Sequence, residues 1–168
     1  MATAAEHRAP MPGDELLPGG VVATHAITIG APPVAVWPWL VQMGCDRAGW
    51  YAVDRLDNGG RRSAERIVPE LQGLAEGDHV PGWPGHRLLM TARVVDPARA
   101  LVLDWRGRRS RVSWAFCLAH DGATGTRLVV RIRVRSPAPM ALAVRAALPG
   151  HDVLQGLQLR RIRQRATG

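Results

Sequence analysis

Thr24-His25-Ala26-Ile27-Thr28-Ile29-Gly30-Ala31-Pro32-Pro33-Val34-Ala35-Val36-Trp37-Pro38-Trp39-Leu40 runs a short strand through a proline turn directly into an apolar, tryptophan-bearing helix. Ile27 and Ile29 alternate with Thr24, Ala26 and Thr28, as a half-buried strand requires, and Gly30 with two prolines ends the extended run. A proline at the start of a helix is tolerated because its missing N–H would have no partner there. Val34, Trp37, Leu40 and Val41 then recur at three- and four-residue spacing, which predicts one apolar stripe. Pro38 is expected to kink this helix or to mark its first turn.

Downstream, residues 45–86 are irregular. Trp50–Leu56 and Ser63–Ile67 read as short helices, and Gly77–Val80 reads as a short strand. From residue 87 the period becomes two. Leu88, Met90, Ala92 and Val94 share a face, as do Leu101, Leu103 and Trp105, then Val112, Trp114, Phe116 and Leu118, and finally Leu128, Val130, Ile132 and Val134, which alternate with Arg127, Arg131, Arg133 and Arg135. Short turns at Asp96-Pro97, Gly107–Ser110 and His120–Gly125 make this an antiparallel meander with one face buried and one wet. Pro139–Arg165 returns to helical composition, with Met140, Leu142, Val144, Val153, Leu154, Leu157 and Ile162 as candidate buried positions and a bend expected at Pro149-Gly150.

At 168 residues the chain fits one domain able to bury roughly two thirds of its unfolded surface. Residues 1–18, rich in Ala, Pro and Gly, are expected to form a flexible segment outside the core, leaving 19–168 as the folded unit. The net charge is +8, yet all 22 basic residues are arginine. They are dispersed and lack any helix-turn-helix, zinc-finger or RNA-recognition signature, so no nucleic-acid partner is expected. Cys45 and Cys117 read as free reduced thiols, without disulfide or metal spacing. No secretory signal or membrane-spanning run is present, and a cytoplasmic location is expected.

An order of strand, helix, short helices, meander and long terminal helix implies an α+β fold. In it a curved antiparallel sheet wraps the terminal helix, and the short helices lie between the first two strands. A curved sheet and a straight helix do not meet everywhere, so an apolar cavity is expected between them. The stretches Ala26–Pro33 with Val36–Gly44, and Ser63–Gln72 leading into Gly77-Asp78, resemble a bacterial subgroup of the START-like superfamily, also labelled SRPBCC. That superfamily includes polyketide cyclase/dehydrase-like proteins, and the resemblance spans about residues 20–165. It implies the helix-grip fold and no single reaction, because carriers, receptors and enzymes share it.

Met90, Leu103, Trp105, Trp114, Phe116, Val130, Ile132 and Leu154 are the expected cavity lining. Tyr51 and Asp54, near Asp57 and Asn58, together with Glu70 supply the candidate acid–base groups. Set against this, Tyr51 and Trp50 could simply pack a short helix while the acids serve turns. His79 and His86, with Asp78, make only a weak ligand set, and neither metal nor cofactor is expected. His25 reads as a core or rim histidine. Arg106, Arg108, Arg109 and Arg111 crowd one turn, either as a solvated basic turn or as an attractor for a carboxylate, a phosphate or an anionic surface such as a membrane.

The expected function is binding of a hydrophobic small molecule, lipid-like or polyketide-like, with cyclisation or dehydration as the matching reaction. A non-catalytic carrier or sensor is the alternative, and an arginine-rich strand face that binds an anionic partner is a third. A monomer and a homodimer are equally compatible with the sequence.

Overall fold

The computed structural model describes residues 1–86 and 88–168, and the backbone alone of His86. Six antiparallel strands form a curved sheet: β1 (Val21–Ile29), β2 (His79–Pro81), β3 (Leu89–Asp96), β4 (Ala100–Arg106), β5 (Arg111–Asp121) and β6 (Gly125–Arg135). Their order in space is β1-β6-β5-β4-β3-β2. The helices are α1 (Ala4–Arg8), α2 (Pro33–Val41), α3 (Asp54–Asp57) and the long α4 (Ala138–Thr167). Packing of α4 against β1 and α2 closes the concave side of the sheet.

Register places the expected faces together. Trp114 lies opposite Leu103 on one side and Ile132 on the other, and Phe116 lies opposite Leu101 and Val130. Leu101, Leu103, Phe116 and Val130, with Ile29, Met43, Tyr51 and Ile162, build the main core, and Trp114 packs against it. In β3 the pattern breaks, because the register shifts between Ala92 and Val94. The extra residue of this bulge turns Val94 onto the outer face against Val102, and Val95 takes the inner side that strict alternation gave to Val94.

The helix after the proline turn forms as expected from Pro33, with Pro38 inside it, but its buried stripe is Val36, Trp39, Leu40 and Val41, and Val34 is exposed. The segment is apolar on almost every side, so spacing alone did not set its phase. The expected helix at Trp50–Leu56 shrinks to the four residues of α3, and Ser63–Ile67 is not helical. In α4 only Gln155, Gln158, Leu159 and Ile162 are buried, whereas Met140, Leu142 and Val153 face out.

Residues 1–18 lie against the convex face of the sheet, where the sequence placed a free segment. Met11 and Leu17 are buried, and Met11 packs with Val102 and Ala115. Gly13, at φ +91°, passes so close that a Cβ would sit 2.7 Å from Val102 Cγ1. The β6 arginines hold this segment. Arg127 grips both Glu6 carboxylate oxygens at 2.7 and 2.9 Å. Arg131, itself buried, donates to Asp14, Thr24 and the carbonyls of Glu6, His7 and Ala9. Arg133 reaches the other Asp14 oxygen at 2.6 Å. The Arg127 bond holds the Glu6 carboxyl down at about 2. Burial pushes Asp14 up, but Arg133, the Met11 N–H and Arg131 outweigh it and leave that carboxyl below its usual range. Arg127, Arg131 and Arg133 of the arginine-rich strand face therefore already have carboxylate partners within the chain.

Candidate functional site

A pocket of about 140 Å³ opens where the concave sheet, the irregular segment and α4 meet. Trp114 projects from β5, Trp50 and Ala52 come from the loop before α3, Asp57 ends α3, Gly82 and Trp83 follow β2, and His151, Leu154, Gln155 and Gln158 face in from α4. The α4 set is spaced 0, 3, 4 and 7, one helical face. Polar residues on that face are fixed by a relay: Trp114 Nε1 donates to Gln155 Oε1 at 3.2 Å, Gln155 Nε2 to Gln158 Oε1 at 2.5 Å, and Gln158 Nε2 to the Trp50 carbonyl at 2.9 Å. Trp50 stacks on Trp114 with ring centroids 5.0 Å apart, and Trp114 leans on Phe116 at the same distance.

Within this wall Trp50 Nε1, Asp57 Oδ1 and His151 Nε2 are buried without a hydrogen-bond partner among the described residues. Such atoms are rare in folded proteins and cost roughly 1–3 kcal/mol each when left unmet. Burial pushes the Asp57 carboxyl up, opposed chiefly by the Val53 N–H. Burial, with a contribution from His25, pushes His151 down, so its imidazole is neutral at pH 7. Behind it, the His25 ring lies 5.7 Å from that of His151, and its Nε2 is 3.2 Å from Asp152 Oδ1 without alignment for a hydrogen bond. His25 is lowered too, by burial first.

Of the expected lining, Trp114 and Leu154 border the pocket. Met90, Leu103, Phe116 and Val130 are packed into the solid core beneath it, Trp105 packs at the edge of that core, and Ile132 is half-buried on β6. Tyr51 is fully buried and turned away from Trp50 by a left-handed backbone (φ +59°). Its hydroxyl accepts from Gln42 Nε2 at 2.8 Å, the Arg165 guanidinium covers its ring at 4.9 Å, and burial pushes it up to about 12. Asp54 accepts from Ser63 Oγ at 2.5 Å, which in turn accepts from the Tyr51 N–H, so it braces the loop. Glu70 is exposed in a 3-10 turn, Pro69–Leu71, away from the pocket. Tyr51→Phe should therefore leave ligand affinity within about twofold while costing about 1 kcal/mol of stability, measured by titration and urea melts.

Asp57 was visible in the sequence beside Tyr51 without being singled out as the acid. His151, Gln155 and Gln158 share one helical face with Leu154, a spacing visible in the sequence whose role depends on where α4 lies. Among the described residues no group of three or more His, Cys, Asp or Glu is placed to hold a metal ion, and the His86 side chain of the weak His79/His86 set lies outside the described residues. No helix is long and apolar enough to cross a membrane among the described residues.

No family model and no curated protein matches the sequence. Solved structures do match the fold. Protein MLL2253 from Mesorhizobium loti superposes with a TM-score of 0.55 at 17% identity, over 86% of this chain and 96% of that one. The aromatase/cyclase Zhui from Streptomyces sp. R1128 gives 0.52 at 16% identity, covering 88% and 93%. A START superfamily protein from Mycobacterium smegmatis gives 0.51 at 10% identity, covering 86% and 99%. The sheet order, the long terminal helix and these superpositions together make this chain a START-like, helix-grip protein in fold.

Proposed function

We propose that the protein binds a hydrophobic small molecule bearing at least one ring between Trp50, Trp83 and Trp114, and that Asp57 and His151 catalyse its cyclisation or dehydration. The carrying observation is that three residues with buried, unpartnered polar atoms, Trp50, Asp57 and His151, line one aromatic-walled pocket. A free volume of about 140 Å³ suits one ring system held in the pocket, with the remainder of a polyketide-like molecule at the open mouth, rather than a whole lipid chain. The aromatase/cyclase among the fold neighbours supports the choice of reaction class.

In this reading neutral His151 removes a proton from the carbon next to a carbonyl, and Asp57, whose acid form burial favours, gives its proton to the departing hydroxyl, so that one water leaves and a C=C bond forms. The stacked indoles orient the substrate and exclude bulk water. The carrier alternative needs the same apolar walls but no inward acid and base.

Native mass spectrometry of the purified protein is expected to show a bound apolar compound, and Asp57→Asn is expected to retain binding while losing turnover. Retained turnover in Asp57→Asn would contradict the assignment, and binding with no turnover in the wild type would favour the carrier. Asp57→Asn also has a stability signature. A carboxyl raised by burial stabilises the fold below the ordinary aspartate value near 3.8, and this contribution is lost as pH rises through the raised value. The variant should therefore melt higher than wild type at pH 7, with the difference shrinking toward pH 3.

A further inference from the structure

The first half of α4 has an exposed surface that water does not favour. Between Ala138 and Gly150 the only charged residue is Arg145, and the rest is Ala, Pro, Met, Leu, Val and Gly. Met140 is 54% and Leu142 68% exposed, and all four buried residues of the helix come after Gly150. A helix apolar on every side is ordinarily buried against something.

The neighbouring surface states the sign of what covers it. Arg108 and Arg109 of the β4–β5 turn, Arg111 at the start of β5 and Arg135 at the end of β6 surround a hollow that runs up to Pro137, the residue capping α4. Arg111 stands directly opposite Arg135 across the sheet, a repulsive pairing. None of these four arginines is in an ion pair among the described residues, in contrast to Arg127, Arg131 and Arg133 of β6. The Ser136 hydroxyl donates to Ser110 at 2.8 Å and ties the basic turn to the start of the helix. From Gly122 to His151 the chain has no Asp or Glu.

We propose that this surface docks on an anionic lipid bilayer, with the arginines on headgroup phosphates and Leu142 entering the acyl boundary. A second copy of the chain is disfavoured because a two-fold contact centred here would bring the same unpaired arginines together. An apolar helix flanked by cations of one sign matches an anionic interface, where each arginine adds to the attraction. The proposal does not depend on what occupies the pocket.

The test is vesicle flotation of the full chain with phosphatidylcholine alone and with phosphatidylcholine containing 30% phosphatidylglycerol (mole fraction, about 0.1 M salt). The expected result is association with the anionic vesicles only, weakened at least about tenfold by Arg108→Gln with Arg109→Gln and by Leu142→Asp, with unchanged circular dichroism. Absence of association with anionic vesicles overturns the proposal. So does binding that survives Leu142→Asp, which would indicate a simple anion site, or a solution dimer that Leu142→Asp dissociates, which would assign the face to a second copy.

Discussion

Phe116→Ala is expected to lower the unfolding free energy by about 3–5 kcal/mol, a large share of the roughly 5–15 kcal/mol that a domain of this kind possesses. Phe116 has no solvent exposure, sits between Leu101 and Val130 in the middle of the sheet, and supports Trp114 from below. Removing the ring leaves a cavity that the rigid β4–β5–β6 ladder cannot close, so the transfer loss and the cavity cost add. Because the Trp114 indole then loses its backing, ligand affinity should fall with stability. A chemical-denaturant melt should show the midpoint displaced with little change in slope, and a loss under about 1 kcal/mol would mean that the core is far looser than its packing indicates.

Arg131→Met is expected to cost about 2–4 kcal/mol and to release residues 1–18 from the sheet. Truncating one side of a buried charge pair typically costs about 3–5 kcal/mol. Here Asp14 keeps Arg133, which moderates the loss. The stranded groups include the Glu6, His7 and Ala9 carbonyls and Thr24. Trypsin should then cut after Arg8 much faster than in the wild type, with the remaining domain still folded. Unchanged cleavage would show that Met11, Leu17 and the Glu6–Arg127 pair suffice to hold the segment.

The meander was legible because a strand's period of two leaves no choice of phase: once Trp114 and Phe116 face in, Ser113 and Ala115 face out. In α2 the same kind of reading identified the element but not its face, because Val34, Val36, Trp37 and Trp39 are all apolar. The β3 bulge has no signature in Ala92-Arg93-Val94. Docking of the N-terminal segment was hidden for another reason, since Asp14 and Arg131 are distant in sequence and charge alternation on β6 says only that the outer face is polar. At the site, Trp114 and Leu154 could be read from strand and helix faces. Tyr51 could not be excluded without its left-handed backbone, which turns its hydroxyl to Gln42 and leaves Trp50 and Asp57 at the pocket. His151, Gln155 and Gln158 become meaningful only once α4 is known to cross the mouth at Leu154.

The central claim, that the space between Trp50, Trp83 and Trp114 takes a ring-bearing guest, is tested most directly by isothermal titration of 2-naphthol into the wild type and into Leu154→Trp, in which a larger side chain occupies the pocket. Single-site binding with a Kd on the order of 10–100 μM, weakened at least about tenfold in the variant at equal thermal stability, is the expected result. No saturable binding to the wild type, or equal affinity for both proteins, would contradict it.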